Sequence, residues 1–102
     1  MGALIYDGQS FEFDDRALAH LQAVITMKLR RREPFLLSWT PSDADPIGRH
    51  AIWIDNAIPL RYEFLSPTPE RLDEQWLNTL ADQSSRASGL FFSAQPAEPV
   101  AV

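Results

Sequence analysis

The stretch Lys28-Leu29-Arg30-Arg31-Arg32-Glu33 holds four of the chain's nine lysines and arginines, a concentration of cations suited to phosphate groups. Other groups with chemical potential are sparse. His20 and His50 are the only histidines, and neither belongs to an H-x-x-x-H or H-E-x-x-H pattern that would offer paired imidazoles to a metal. Asp43-Ala44-Asp45-Pro46-Ile47-Gly48 opens like a calcium loop, D-x-D with glycine in sixth place. Ile47 and Ile54 then stand where that motif needs an oxygen ligand and a bidentate glutamate, so a solvated loop is expected. The chain has no cysteine, which excludes disulfides, thiolate zinc sites and cysteine nucleophiles. It contains neither a G-x-S-x-G elbow nor a G-x-x-x-x-G-K-[ST] phosphate loop. No catalytic, cofactor-binding or metal-ligating residue is nominated, and the histidines are expected at the surface.

The basic cluster has a structural explanation as well as a functional one. Cations at a helix C-terminus interact favourably with its exposed carbonyls. At 100° per residue, Lys28, Arg30, Arg31 and Arg32 spread around the axis instead of forming one row. Lys28 and Arg32 edge towards the apolar side, where their stems can cover hydrophobic surface. No aromatic residue interleaves with them as a stacking platform, and the net charge of −5 repels phosphate. The cluster therefore reads first as a helix end, with nucleic-acid contact through those four residues as the alternative. The opposite flank of the same helix carries Ala19, Ala23 and Met27 at i, i+4 and i+8, with Arg16, Arg30 and Arg31 beside them. Alanine is the best helix former, which accounts for such residues by itself. Small apolar side chains on an outer flank also suit a protein partner or a second copy of the chain, and this is the surface expected to work by binding.

The elements that must position these groups follow from periodicity. Ala3-Leu4-Ile5-Tyr6 and Gln9-Ser10-Phe11-Glu12-Phe13 flank Asp7-Gly8, a hairpin signal because both central turn positions want positive φ. Asp14-Asp15 precedes a helix from Arg16 to about Arg31, with Leu18, Leu21, Ile25 and Leu29 as its apolar stripe. Pro34 stops it. Strands follow at Phe35–Trp39, Ala51–Ile54 and Leu60–Phe64. Thr68 as cap and Pro69 at the first helical position predict a second helix carrying Leu72, Trp76 and Leu80 on its buried edge, with Gly89 at or after its end. Leu90-Phe91-Phe92 is a last short strand. Trp39, Trp53 and Trp76 are all expected in the core. The order is ββαβββαβ, an α+β fold in which a mainly antiparallel sheet is covered on one face. Residues 1–93 are expected to form one domain and 94–102 a flexible tail. No apolar run approaches the roughly 18 residues of a membrane span, and a cytoplasmic location fits the absence of cysteine and of an export signal.

The segment Phe13-Asp14-Asp15-Arg16-Ala17-Leu18-Ala19-His20-Leu21, with Lys28-Leu29-Arg30-Arg31, Phe35-Leu36-Leu37-Ser38-Trp39, Ile52-Trp53-Ile54 and Ile58-Pro59-Leu60, resembles a family of uncharacterised actinobacterial proteins of about this length. Members of that family are often labelled ATP-dependent DNA ligase, which would imply a place in DNA transactions. A ligase-type nucleotidyltransferase uses the lysine of a K-x-D-G motif. Here Ile5 stands at that position before Asp7-Gly8, and the only lysine, Lys28, has no D-G after it. A small non-catalytic binding module is the expectation that agrees with these residues.

Overall fold

The computed structural model describes residues 2–41 and 46–93. Asp43, Ala44 and Asp45 of the calcium-like loop and the expected tail, 94–102, lie outside the described residues. Eight elements follow in the expected order: β1 (Gly2–Tyr6), β2 (Gln9–Phe13), α1 (Asp15–Arg30), β3 (Phe35–Trp39), β4 (His50–Ile54), β5 (Leu60–Glu63), α2 (Glu74–Ser84) and β6 (Leu90–Phe92). The fold is α+β. Its strands divide between two three-stranded sheets, β2-β1-β5 and β4-β3-β6, instead of forming one. All pairings are antiparallel except β3 with β6.

Local chemistry explains the first elements. Asp7 and Gly8 adopt φ of 52° and 79°, the positive values that the β1–β2 turn requires. Asp14 caps α1, its carboxylate accepting from the Ala17 amide at 2.7 Å. At the other end the Arg32 amide donates to the Leu29 carbonyl and the Glu33 amide to the Lys28 carbonyl, closing the helix as a Schellman motif. Arg32 occupies the left-handed position, φ 55°, where glycine is the usual occupant.

One core joins both sheets and both helices, built on Leu4, Leu18, Leu21, Ile25, Leu37, Ile54 and Leu90. Aromatic contacts carry it across the sheets. Phe11 and Phe13 of β2 meet Trp39 at 5.1 Å each, Phe13 meets Phe92, and Phe92 stacks on Trp76 at 5.6 Å. The Tyr6 hydroxyl adds a polar tie: it donates to the Trp53 carbonyl and accepts from the Asp55 amide. Burial holds that hydroxyl above its ordinary pKa.

Three sequence expectations change. Trp53 is not in the core: it is 56% exposed, against 4% for Trp39 and 9% for Trp76. Register explains this, since Ile52 and Ile54 point one way from β4 and Ala51 and Trp53 the other. The histidines are not both surface residues, and His50 is only half-buried. His20 is fully buried, and His50 stacks on Trp39. The second helix begins at Glu74 with Asp73 as its cap, not at Thr68-Pro69, and Leu72 is an exposed residue before it. The segment 64–73 stays irregular because distant side chains hold its backbone.

Candidate functional site

Residues 64–73 form a strap across the N-terminal half of α1. Its start is held by Asp15, whose two carboxylate oxygens accept from the Leu65 amide at 3.0 Å and the Ser66 amide at 2.8 Å. Towards its end the Arg16 guanidinium donates to the Arg71 carbonyl at 3.1 Å. The Asp73 amide then donates to Nε2 of His20 at 2.9 Å. The other ring nitrogen, Nδ1, donates to the Arg16 carbonyl at 2.7 Å, which fixes the tautomer. Three successive polar positions of α1 thus bind one chain segment some fifty residues away. Between the anchors, Pro67 and Pro69 bias the preceding Ser66 and Thr68 towards extended backbone.

Between these anchors the strap stands off the helix. A cleft of about 510 Å³ opens between them, within the size range of ligand sites. Ala19 and Ala23 lie on its α1 side, and Phe64, Pro67, Pro69 and Leu72 on the strap side. Gln22, Thr26, Ser66 and Thr68 add neutral polar groups, and its ionisable residues are Arg30 and Glu70. Next to Thr26, the Tyr62 hydroxyl is buried, and burial pushes its pKa well above the ordinary tyrosine value. Among the described residues no three His, Asp or Glu side chains gather in a metal-binding arrangement.

The sequence-nominated surface is redistributed by this geometry. Ala19 and Ala23 do face a shared cleft, with Arg30 also lining it. Met27 is half-buried and lies apart from the cleft lining, and Arg16 serves as a strap anchor. Of the basic cluster, Lys28 is only 5% exposed, with its ammonium 3.8 Å from the Glu33 carboxylate. Arg30, Arg31 and Arg32 are exposed. The residues that sequence reasoning missed are Asp15 and His20 as anchors and the whole strap. Their polar character on the flank of an amphipathic helix was the available signal, but their partner was not visible locally.

The Asp15 clamp has a definite pH response. The Leu65 amide, then the Ser66 amide, hold the Asp15 carboxyl below its ordinary value of 3.8. A depressed folded-state pKa means that the clamp contributes fully above that ordinary value and is lost only as pH falls below it. We expect Asp15→Asn to speed amide exchange at Leu65 and Ser66 by about tenfold or more at neutral pH, leaving β3 amides unchanged. Equal protection of Leu65 and Ser66 in wild type and variant would show that the carboxylate does not hold the strap.

No curated protein and no solved structure matches the chain. The sequence comparison instead follows the whole described fold: residues 1–95, from the first strand through the last, match the family model described as Domain of unknown function (DUF7882), and the chain belongs to that family.

Proposed function

We propose that the protein is a small binding module that holds a segment of another protein in the cleft between α1 and the strap. The observation that supports this is the cleft itself: small alanines face two prolines, Phe64 and Leu72 across an open space held at both ends. Exposed Leu65, at 75%, extends the apolar rim beyond it. Apolar surface of this kind, with few polar groups set into it, suits the side chains of a partner polypeptide. Arg30 and Glu70 set one cation and one anion beside that apolar surface, which favours a partner with both signs of charge next to its apolar residues. Nucleic-acid contact through Lys28, Arg30, Arg31 and Arg32 has less support, because Lys28 is withdrawn into the helix flank and paired with Glu33.

The test is selection from a displayed random-peptide library on the wild-type protein, followed by titration of enriched peptides against Ala23→Glu. A carboxylate at position 23 would sit in the apolar floor, so affinity should fall at least about tenfold, or about 1.4 kcal/mol. Circular dichroism should show the variant folded. Failure to enrich any peptide, or equal affinity for both proteins, would refute the cleft as a binding site.

A further inference from the structure

The two sheets differ in what they turn outward, away from the core. On the outer face of β2-β1-β5, Ala3 pairs with Glu12 and Glu63, and Ile5 with Ser10 and Arg61. Arg61 and Glu63 form an ion pair there at 2.8 Å. That is a solvated face. On β4-β3-β6 the outward residues are Leu36 opposite Trp53, Ser38 opposite Ala51, and Phe91 beside Ser38. None of these five is charged. Trp53 is 56% exposed and Phe91 47%, two large side chains on the outer face of one sheet. An antiparallel pair with one wet face ordinarily alternates apolar and polar residues, whereas Ser38 is the one polar residue among these five outward positions.

We infer that this face is a contact between two copies of the chain, packed sheet on sheet about a two-fold axis. This contact is independent of the cleft, which lies on the α1 flank. The charge distribution selects the occupant. A nucleic acid or a strongly acidic or basic partner would find no opposite charge on the face, and pairing requires a surface that is itself flat, aromatic and uncharged. A second copy supplies that surface. In a chain of net charge −5, the five uncharged positions also let two copies meet without apposing like charges at the centre. The ends of β4 are complementary: Arg49 precedes the strand and Asp55 follows it. A two-fold axis running across the strands sets Arg49 of one copy over Asp55 of the other. In that arrangement Trp53 leaves water to pack on apolar side chains of the opposite sheet, with the sheets about 10 Å apart.

Area sets the strength. Three strands of up to five residues span about 16 by 14 Å, on the order of 230 Å² per copy. That is well below the roughly 800 Å² per partner of a standard stable interface, so the dimer is weak. Sedimentation velocity should therefore show a monomer–dimer equilibrium across about 5–500 µM, with dissociation in the tens of micromolar. Trp53→Glu should weaken the dimer at least about thirtyfold, to roughly a millimolar, so that monomer predominates across most of that range, because the carboxylate would be desolvated at the two-fold contact. Phe91→Glu should do the same and serves if Trp53→Glu fails to fold. Ala23→Glu, which tests the cleft, should leave the dimer intact. A wild-type protein that stays monomeric to the highest concentration, or folded Trp53→Glu and Phe91→Glu variants that dimerise as tightly as wild type, would overturn the proposal and leave the face to a different protein.

Discussion

Replacing His20 by leucine should destabilise the protein by about 2–4 kcal/mol, even though leucine is the better helix former and fills a similar volume. The imidazole is fully buried and uses both nitrogens, one towards the Arg16 carbonyl and one accepting from the Asp73 amide. Its ring also packs on Trp76 with centroids 4.2 Å apart. Leucine keeps much of the packing but leaves the Asp73 amide facing a hydrocarbon. An unpaired buried amide costs about 1–3 kcal/mol in addition to the lost bond, a large share of the roughly 5–15 kcal/mol that holds a domain of this size. The damage should be local before it is global. Asp73 caps α2, its carboxylate accepting from the Trp76 amide, so loss of the His20 contact loosens the helix start and the strap together. Urea unfolding gives the total, and amide exchange at 64–77 gives its location. His20→Gln should be milder than His20→Leu, because an amide oxygen can reach the place of Nε2 and accept from Asp73. A leucine variant within about 0.5 kcal/mol of wild type would mean that water or a shift of the strap replaces the imidazole.

That anchor also marks where local sequence reasoning stopped. The Asp7-Gly8 hairpin and the start and end of α1 depend on groups within a few residues of one another, and they formed where periodicity and capping chemistry placed them. Thr68-Pro69 carries an equally good local helix-start signature, but the backbone around it is bound by Asp15, Arg16 and His20 from α1. Those bonds compete with the helix from fifty residues away, and helix initiation moves to Asp73. The strap then covers part of the helix flank and widens the buried arc beyond the Leu18, Leu21 and Ile25 stripe. That is why His20 is interior and Ala19 is 9% exposed. Trp53 failed for a different reason. Alternation assigns Ala51 and Trp53 to one face and Ile52 and Ile54 to the other, but it cannot say which face meets the core when both are apolar. In β3, β4 and β6 no charged residue marks the outward face, so nothing local distinguishes it from the inward one.

Substituting alanine for Gly89 should cost about 3–5 kcal/mol, more than any other single-methyl addition in a turn of this chain. Gly89 has φ of 78°, which an L side chain adopts at a cost of roughly 1–2 kcal/mol. A Cβ there would also lie 2.5 Å from the Leu36 carbonyl oxygen and 2.8 Å from the Leu36 Cβ. Backbone does not yield as the tip of a flexible side chain does, so the start of β6 must move away from β3. That movement pulls at the Leu37–Leu90 register and uncovers Leu90 and Phe92, which are 0% and 5% exposed. Gly8 separates the two contributions, because it has nearly the same φ, 79°, and nothing within 4 Å of its would-be Cβ. Gly8→Ala should therefore show the conformational cost alone, about 1–2 kcal/mol, and thermal unfolding of the two variants should differ by several degrees. Equal losses at both positions would mean that the contact with Leu36 relaxes freely. The location of the damage matters more than its size. β6 carries Phe91 on the uncharged outer face, and β3 carries Ser38 beside it, so a Gly89→Ala protein that still folds should lose the proposed self-association along with stability. The close approach at Gly89 is what seats β6 against β3 and makes these separate strands one continuous surface.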